Sequence, residues 1–181
     1  GSVEALVSRA GRELKLRVVL AAHPADRGPA VLGAAWTLDG SLAVVWEDGA
    51  AAFDPATGAT RWIFRDVAED ASIRSWRAVD GRIVLYEDDR AARKAQARTE
   101  GIRARLLAVN DVTGDVAWAY AMDVEPLPQG VLEAEVKLLG RPLGTHVGVL
   151  QTLTRGGNRE DYLWTFGAEK GGKPDKRSLP G

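Results

Sequence analysis

Side chains able to do chemistry are sparse in this 181-residue chain. The two histidines, His23 and His146, lie far apart, outside any spacing such as His-x-x-x-His that would bring two imidazoles to one metal. Neither accompanies a nucleophile motif, and the absence of cysteine excludes disulfides, thiolate nucleophiles and zinc-thiolate sites. Both histidines therefore read as structural or surface residues. Two acidic clusters, Trp46-Glu47-Asp48 and Tyr86-Glu87-Asp88-Asp89, could attract a cation. Each supplies fewer oxygens than the roughly six to eight that calcium takes, so solvated turn residues are the expectation. Gly156-Gly157 and Gly171-Gly172 precede no Lys-Ser/Thr pair and read as turns, not phosphate loops. This inventory assigns no catalytic residue, no metal ligand and no cofactor, and the chain is expected not to be an enzyme.

Basic residues concentrate in one place. Arg90, Arg93, Lys94, Arg98, Arg103 and Arg105 could hold an acidic partner or a phosphate, or simply face solvent. The Ala-rich composition of 88–100 favours a short helix or loop, with Asp88 and Asp89 suited to the positive end of a helix dipole. Over the whole chain 24 Lys and Arg balance 25 Asp and Glu, so no global field draws it to nucleic acid or an anionic membrane. No apolar stretch approaches the ~18 residues that cross a bilayer, and membrane insertion is not expected. An apolar share of 45% and a charged share of 27% belong to an ordinary globular protein. Gly1-Ser2 has the look of a cloning remnant, so the lack of a leader carries little weight. Abundant Ala, Arg and Gly suit a GC-rich bacterial source.

The elements that must carry these residues are repeated. Phe53-Asp54-Pro55-Ala56-Thr57-Gly58-Ala59-Thr60-Arg61-Trp62 returns as Val109-Asn110-Asp111-Val112-Thr113-Gly114-Asp115-Val116-Ala117-Trp118, with Gly and Trp both displaced by 56 positions. Upstream, Asp39-Gly40 answers Asp80-Gly81 at a displacement of 41, so the second copy carries a 15-residue insertion, roughly 90–105. Degenerate copies flank the pair at Leu6-Val7-Ser8-Arg9-Ala10-Gly11, where Lys15 takes the Trp place, and at Phe166-Gly167-Ala168-Glu169-Lys170-Gly171, where Asp175 does.

Each full copy reads as four short strands. The first copy predicts 31–36, 42–46, 50–53 and 60–64; the second predicts 73–78, 82–86, 105–109 and 116–120. β-Branched and aromatic residues fill them, and the Asp-Gly and Thr-Gly pairs supply the positive φ that tight turns need. In the third, 147–150 is the clearest strand and 154–161 reads as a polar loop. Four-stranded units of this length describe propeller blades, whose sheets cover one another's faces. The chain is expected to be all-β, a partial β-propeller of four-stranded antiparallel blades. Approximate units are 3–22 (partial), 29–66, 72–122 and 130–179, and Gly58, Trp62, Gly114 and Trp118 are the structural residues of the repeat. The six tryptophans recur at strand positions, so packing explains them without a ligand.

On these residues the chain resembles the quinoprotein-like, or pyrroloquinoline-quinone-like, β-propeller repeat family. The family pattern Ala-x-Asp-x-x-Thr-Gly-x-x-x-Trp is met at Ala52, Asp54, Thr57, Gly58 and Trp62, and again from Ala108 to Trp118 with Asn110-Asp111 at the acidic place. Complete members have seven or eight blades, so the resemblance implies a fragment, or an array that self-associates to cover its edges. It also implies a non-catalytic interaction or scaffolding module of a bacterial envelope or surface protein, extracytoplasmic, with a protein partner. Two alternatives stand beside this. One is a fragment of a quinone-dependent dehydrogenase propeller, disfavoured because those enzymes carry a vicinal cysteine pair that this chain lacks. The other is anionic-ligand binding through the basic insertion.

Overall fold

The computed structural model describes residues 2–9, 12–19, 30–68, 70–89, 101–125, 132–139 and 145–180. His23, Arg90, Arg93, Lys94, Arg98 and the helical or loop reading of the insertion lie outside them. Within the described residues every regular element is a strand.

A two-stranded antiparallel hairpin, β1 (Ser2–Arg9) and β2 (Arg12–Val19), comes first. Three four-stranded antiparallel sheets follow, each a meander whose strands neighbour in chain order. The first holds β3 (Val31–Trp36), β4 (Leu42–Trp46), β5 (Gly49–Phe53) and β6 (Thr60–Phe64). The second holds β7 (Ala71–Val79), β8 (Arg82–Asp89), β9 (Ala104–Asn110) and β10 (Val116–Ala121). The third holds β11 (Leu132–Leu138), β12 (His146–Arg155), β13 (Asn158–Gly167) and β14 (Gly171–Ser178).

The strands of the first two sheets fall where alternation and turn residues put them. Three expectations need correction. β8 runs on to Asp89, so Asp88 and Asp89 are strand residues and not part of a helix. Glu87 and Asp88 are buried, not solvated. The 154–161 segment is not a loop: only Gly156-Gly157 turn, both with positive φ, while the polar residues on either side pair from Thr154↔Arg159 to Arg155↔Asn158 within a long hairpin.

The sheets stack face to face. Ala43, Val45, Ala50, Ala52, Trp62 and Phe64 of the first meet Ile73, Ile83, Leu85, Leu107 and Val109 of the second in one core. Alternation turns the other side of the second sheet, with Val84, Tyr86, Leu106, Ala108 and Trp118, onto Val147, Val149 and Phe166 of the third. The middle sheet is thus apolar on both faces, and its central strands read as near-continuous hydrophobic runs for that reason. Consecutive meanders packed through their faces define a partial β-propeller.

The repeated Trp makes the joint. Trp62 Nε1 donates to the Asp111 carbonyl at 3.0 Å, and Trp118 Nε1 donates to the Ala168 carbonyl at 2.9 Å. Each indole lies on the turn glycine of the following sheet: a Cβ on Gly114 would stand 2.8 Å from Trp62 Cγ, and one on Gly171 2.7 Å from Trp118 Cγ. The φ of +79° at Gly114 and +62° at Gly171 makes the same demand. Register shifts leave Arg61 in β6 and Ala117 in β10 as the extra residue just before each Trp. The repeat therefore extends to bulges as well as residue types.

Candidate functional site

The turn motif is a hydrogen-bonding device. Asp54 Oδ1 accepts from the N–H groups of Ala56 (2.9 Å) and Thr57 (3.1 Å), and Asn110 Oδ1 accepts from those of Val112 (2.9 Å) and Thr113 (3.2 Å). These backbone donors, the largest influence, hold the Asp54 carboxyl below the usual carboxylate range. Asn110, not Asp111, plays the Asp54 part. Asp111 does something the motif does not announce: its Oδ2 accepts from the Leu38 N–H of the first sheet at 3.0 Å, while Oδ1 is buried without a partner. Burial pushes the Asp111 carboxyl up, with the neighbouring Asp39 charge adding to the rise and the Leu38 N–H opposing it. Asp39 moves the other way, lowered chiefly by the Thr37 hydroxyl and then by the Ser41 N–H.

Residues able to recognise something gather at the far end of the second sheet, where β8 gives way to the insertion and the chain returns into β9. A cleft of about 410 Å³ opens there, lined by Ala68, Asp70, Ala71, Glu87, Asp88, Asp89, Arg103, Ala104, Arg105, Ala121 and Asp123. The register places its central groups. Ala71 opposes Asp89, Glu87 opposes Arg105, and Arg105 opposes Ala121, so these residues project from one face of the sheet.

Glu87 is only 3% exposed, and its Oε1 accepts from Arg105 Nε at 2.6 Å. Arg105 also donates to the Asp66 carbonyl and stands 3.7 Å from the Asp66 carboxylate. Asp88 accepts from Arg74 Nε at 2.6 Å, and Asp123 Oδ1 accepts from the Ala104 N–H at 2.9 Å. Glu87 Oε2 is buried without a hydrogen-bond partner.

Of the six basic residues singled out, the structure thus places Arg103 and Arg105, and it sets both among carboxylates. Asp70 and Asp123 carried no signal in the sequence, being remote from the two repeated acidic clusters. Gly58, Trp62, Gly114 and Trp118 all sit in or beside equivalent turns. His146 is exposed at the start of β12, its Nδ1 3.4 Å from the Thr145 hydroxyl. All six tryptophans are buried or half-buried. Among the described residues no group of three or more His, Asp or Glu is arranged to hold a metal ion, and no helix is long and apolar enough to cross a membrane.

No family model matches the chain, and no curated protein matches it. Among solved structures it is similar to the WD40 domain of SCAP from fission yeast, with 12% sequence identity, a TM-score of 0.36, and coverage of 87% of this chain and 32% of that one. The chain therefore spans about a third of the length of that structure.

Proposed function

We propose that this chain is a non-catalytic protein-interaction module, a set of quinoprotein-like repeats serving as a scaffold in a bacterial envelope or surface protein. The observation that carries the reading is the cleft at the end of the second sheet. Glu87, Asp88, Asp89 and Arg105 stand there on strands, with Asp70, Arg103 and Asp123 at or near strand ends, and paired carboxylates and guanidiniums fix one another's geometry. Fixed, complementary charge on a packed frame selects a partner and its orientation. The repeat motif supports the family assignment, and units 3–22, 29–66, 72–122 and 130–179 are its proposed divisions. The surroundings of Arg103 and Arg105 favour this over binding of an anion, since the nearest groups are carboxylates that already engage Arg105.

The test is affinity capture from the native host with the wild-type chain and a Glu87→Gln/Asp123→Asn double variant, followed by titration of each captured protein in purified form. A partner that binds the wild type in the purified system, and does so more weakly as salt is raised, is the expected result. Failure of every captured protein to bind once purified overturns the reading.

A further inference from the structure

The cleft is more specific than a charged surface. Among the described residues five carboxylates line it, those of Asp70, Glu87, Asp88, Asp89 and Asp123, against the two guanidiniums of Arg103 and Arg105. The other described residues that line it are Ala68, Ala71, Ala104 and Ala121, of which Ala71 and Ala121 share the face of Glu87. Small side chains at Ala71 and Ala121 leave apolar space there that larger ones would fill. One wall holds a group whose chemistry is half-answered. Glu87 is 97% buried, with Oε1 matched by Arg105 and Oε2 matched by nothing. A carboxyl oxygen kept from water without a donor is costly, and a donor arriving there recovers that cost. Methyl-lined space beside an unmatched carboxyl oxygen suits an alkyl chain tipped with a cation.

We infer that this cleft binds the side chain of an arginine or lysine presented by a protein partner, its aliphatic stem between Ala71 and Ala121 and its cationic head on Glu87. The inference rests on the interaction-module reading and names the contact that reading leaves open.

The experiment uses the full chain with three probes: the peptide acetyl-Gly-Arg-Gly-amide, n-butylguanidinium and spermidine. Amide chemical-shift changes on titration with the peptide are expected to centre on Glu87, Ala104 and Ala121. Glu87→Gln, which keeps an acceptor for Arg105, and Ala121→Leu, which fills that space without changing charge, are each expected to weaken peptide binding at least tenfold. Their circular dichroism should match the wild type. Asp175→Asn, remote from the cleft, is expected to leave binding unchanged. Shifts scattered over exposed acids such as Glu133 and Asp175, or unchanged affinity in folded Ala121→Leu, overturn the site. Tighter binding of spermidine or n-butylguanidinium than of the peptide overturns the protein side chain as occupant in favour of a free amine. A purified partner that binds both cleft variants as well as it binds the wild type overturns the inference and leaves the interaction module standing. Peptide binding at the cleft with no purified partner does the opposite.

Discussion

Asp111 and Asp39 face each other across the first inter-sheet contact, and their opposite displacements make the acid limb of stability a composite. Asp111 is raised by burial, so the folded state holds its proton more tightly than the unfolded one. Its contribution falls as pH rises from the ordinary carboxylate value through the raised one. Asp39 is lowered by the Thr37 hydroxyl, so its contribution is present above the ordinary value and lost as pH falls through the lowered one. Denaturant midpoints measured from pH 2.5 to 7 should therefore lose their falling component in Asp111→Asn and part of their acid loss in Asp39→Asn. The joint residues make a second contrast. Gly114→Ala meets both the left-handed backbone penalty of about 1–2 kcal/mol and an overlap with Trp62 worth about 1–3 kcal/mol more. Gly58→Ala has open space around the new methyl group and meets only the first. Trp118→Ala should cost about 3–5 kcal/mol, read from urea unfolding.

At the scale of elements, the long β12–β13 hairpin does more than extend a sheet. Leu153 near its end packs with Ile102 and Val124, which bridge each other through reciprocal N–H···O bonds of 2.8 Å at the foot of the insertion. Leu153→Ala is expected to cost about 2–5 kcal/mol and to speed hydrogen exchange at the Ile102 and Val124 amides ahead of the remaining core. This hairpin is also where sequence reasoning failed, and the cause is physical. Beyond Thr152 it is covered on fewer sides, so Thr154, Arg155, Asn158 and Arg159 occupy strand positions with loop-like polarity. The first two sheets were legible because their faces are buried by neighbours and their turns carry a side-chain device, Asp54 or Asn110, that only certain residues can supply. The cleft was legible in part. Arg103 and Arg105 were noticed for their charge, and Glu87 and Asp88 were noticed and misread, because nothing in a run of acids says that Arg105 and Arg74 will meet them inside the fold. Asp70 and Asp123 reach the same place from separate segments, a convergence that only the folded chain reveals.

For the whole molecule, the third sheet differs from the other two on the face turned away from the stack. Opposite Val136, Trp164 and Phe166, that face carries Glu135–Lys137, Arg159–Asp161 and Asp175–Arg177 pairs, with Thr152 donating to Asp161. Side chains at 55–75% exposure there, joined to one another, are a surface suited to water. The triple variant Thr165→Val, Asp175→Val, Arg177→Val should associate in sedimentation velocity at concentrations where the wild type does not. A different consequence follows from the indole joint. Each Trp grips the glycine one unit downstream and not its own, so the parts that must match sit on separate copies of the gene's repeating segment. Duplicating or deleting one whole period, from Gly58 up to Gly114 for instance, would leave every surviving grip with a counterpart, whereas a part-period change that removed Gly114 and kept Trp62 would orphan one. Change in such a lineage is thereby channelled into whole steps.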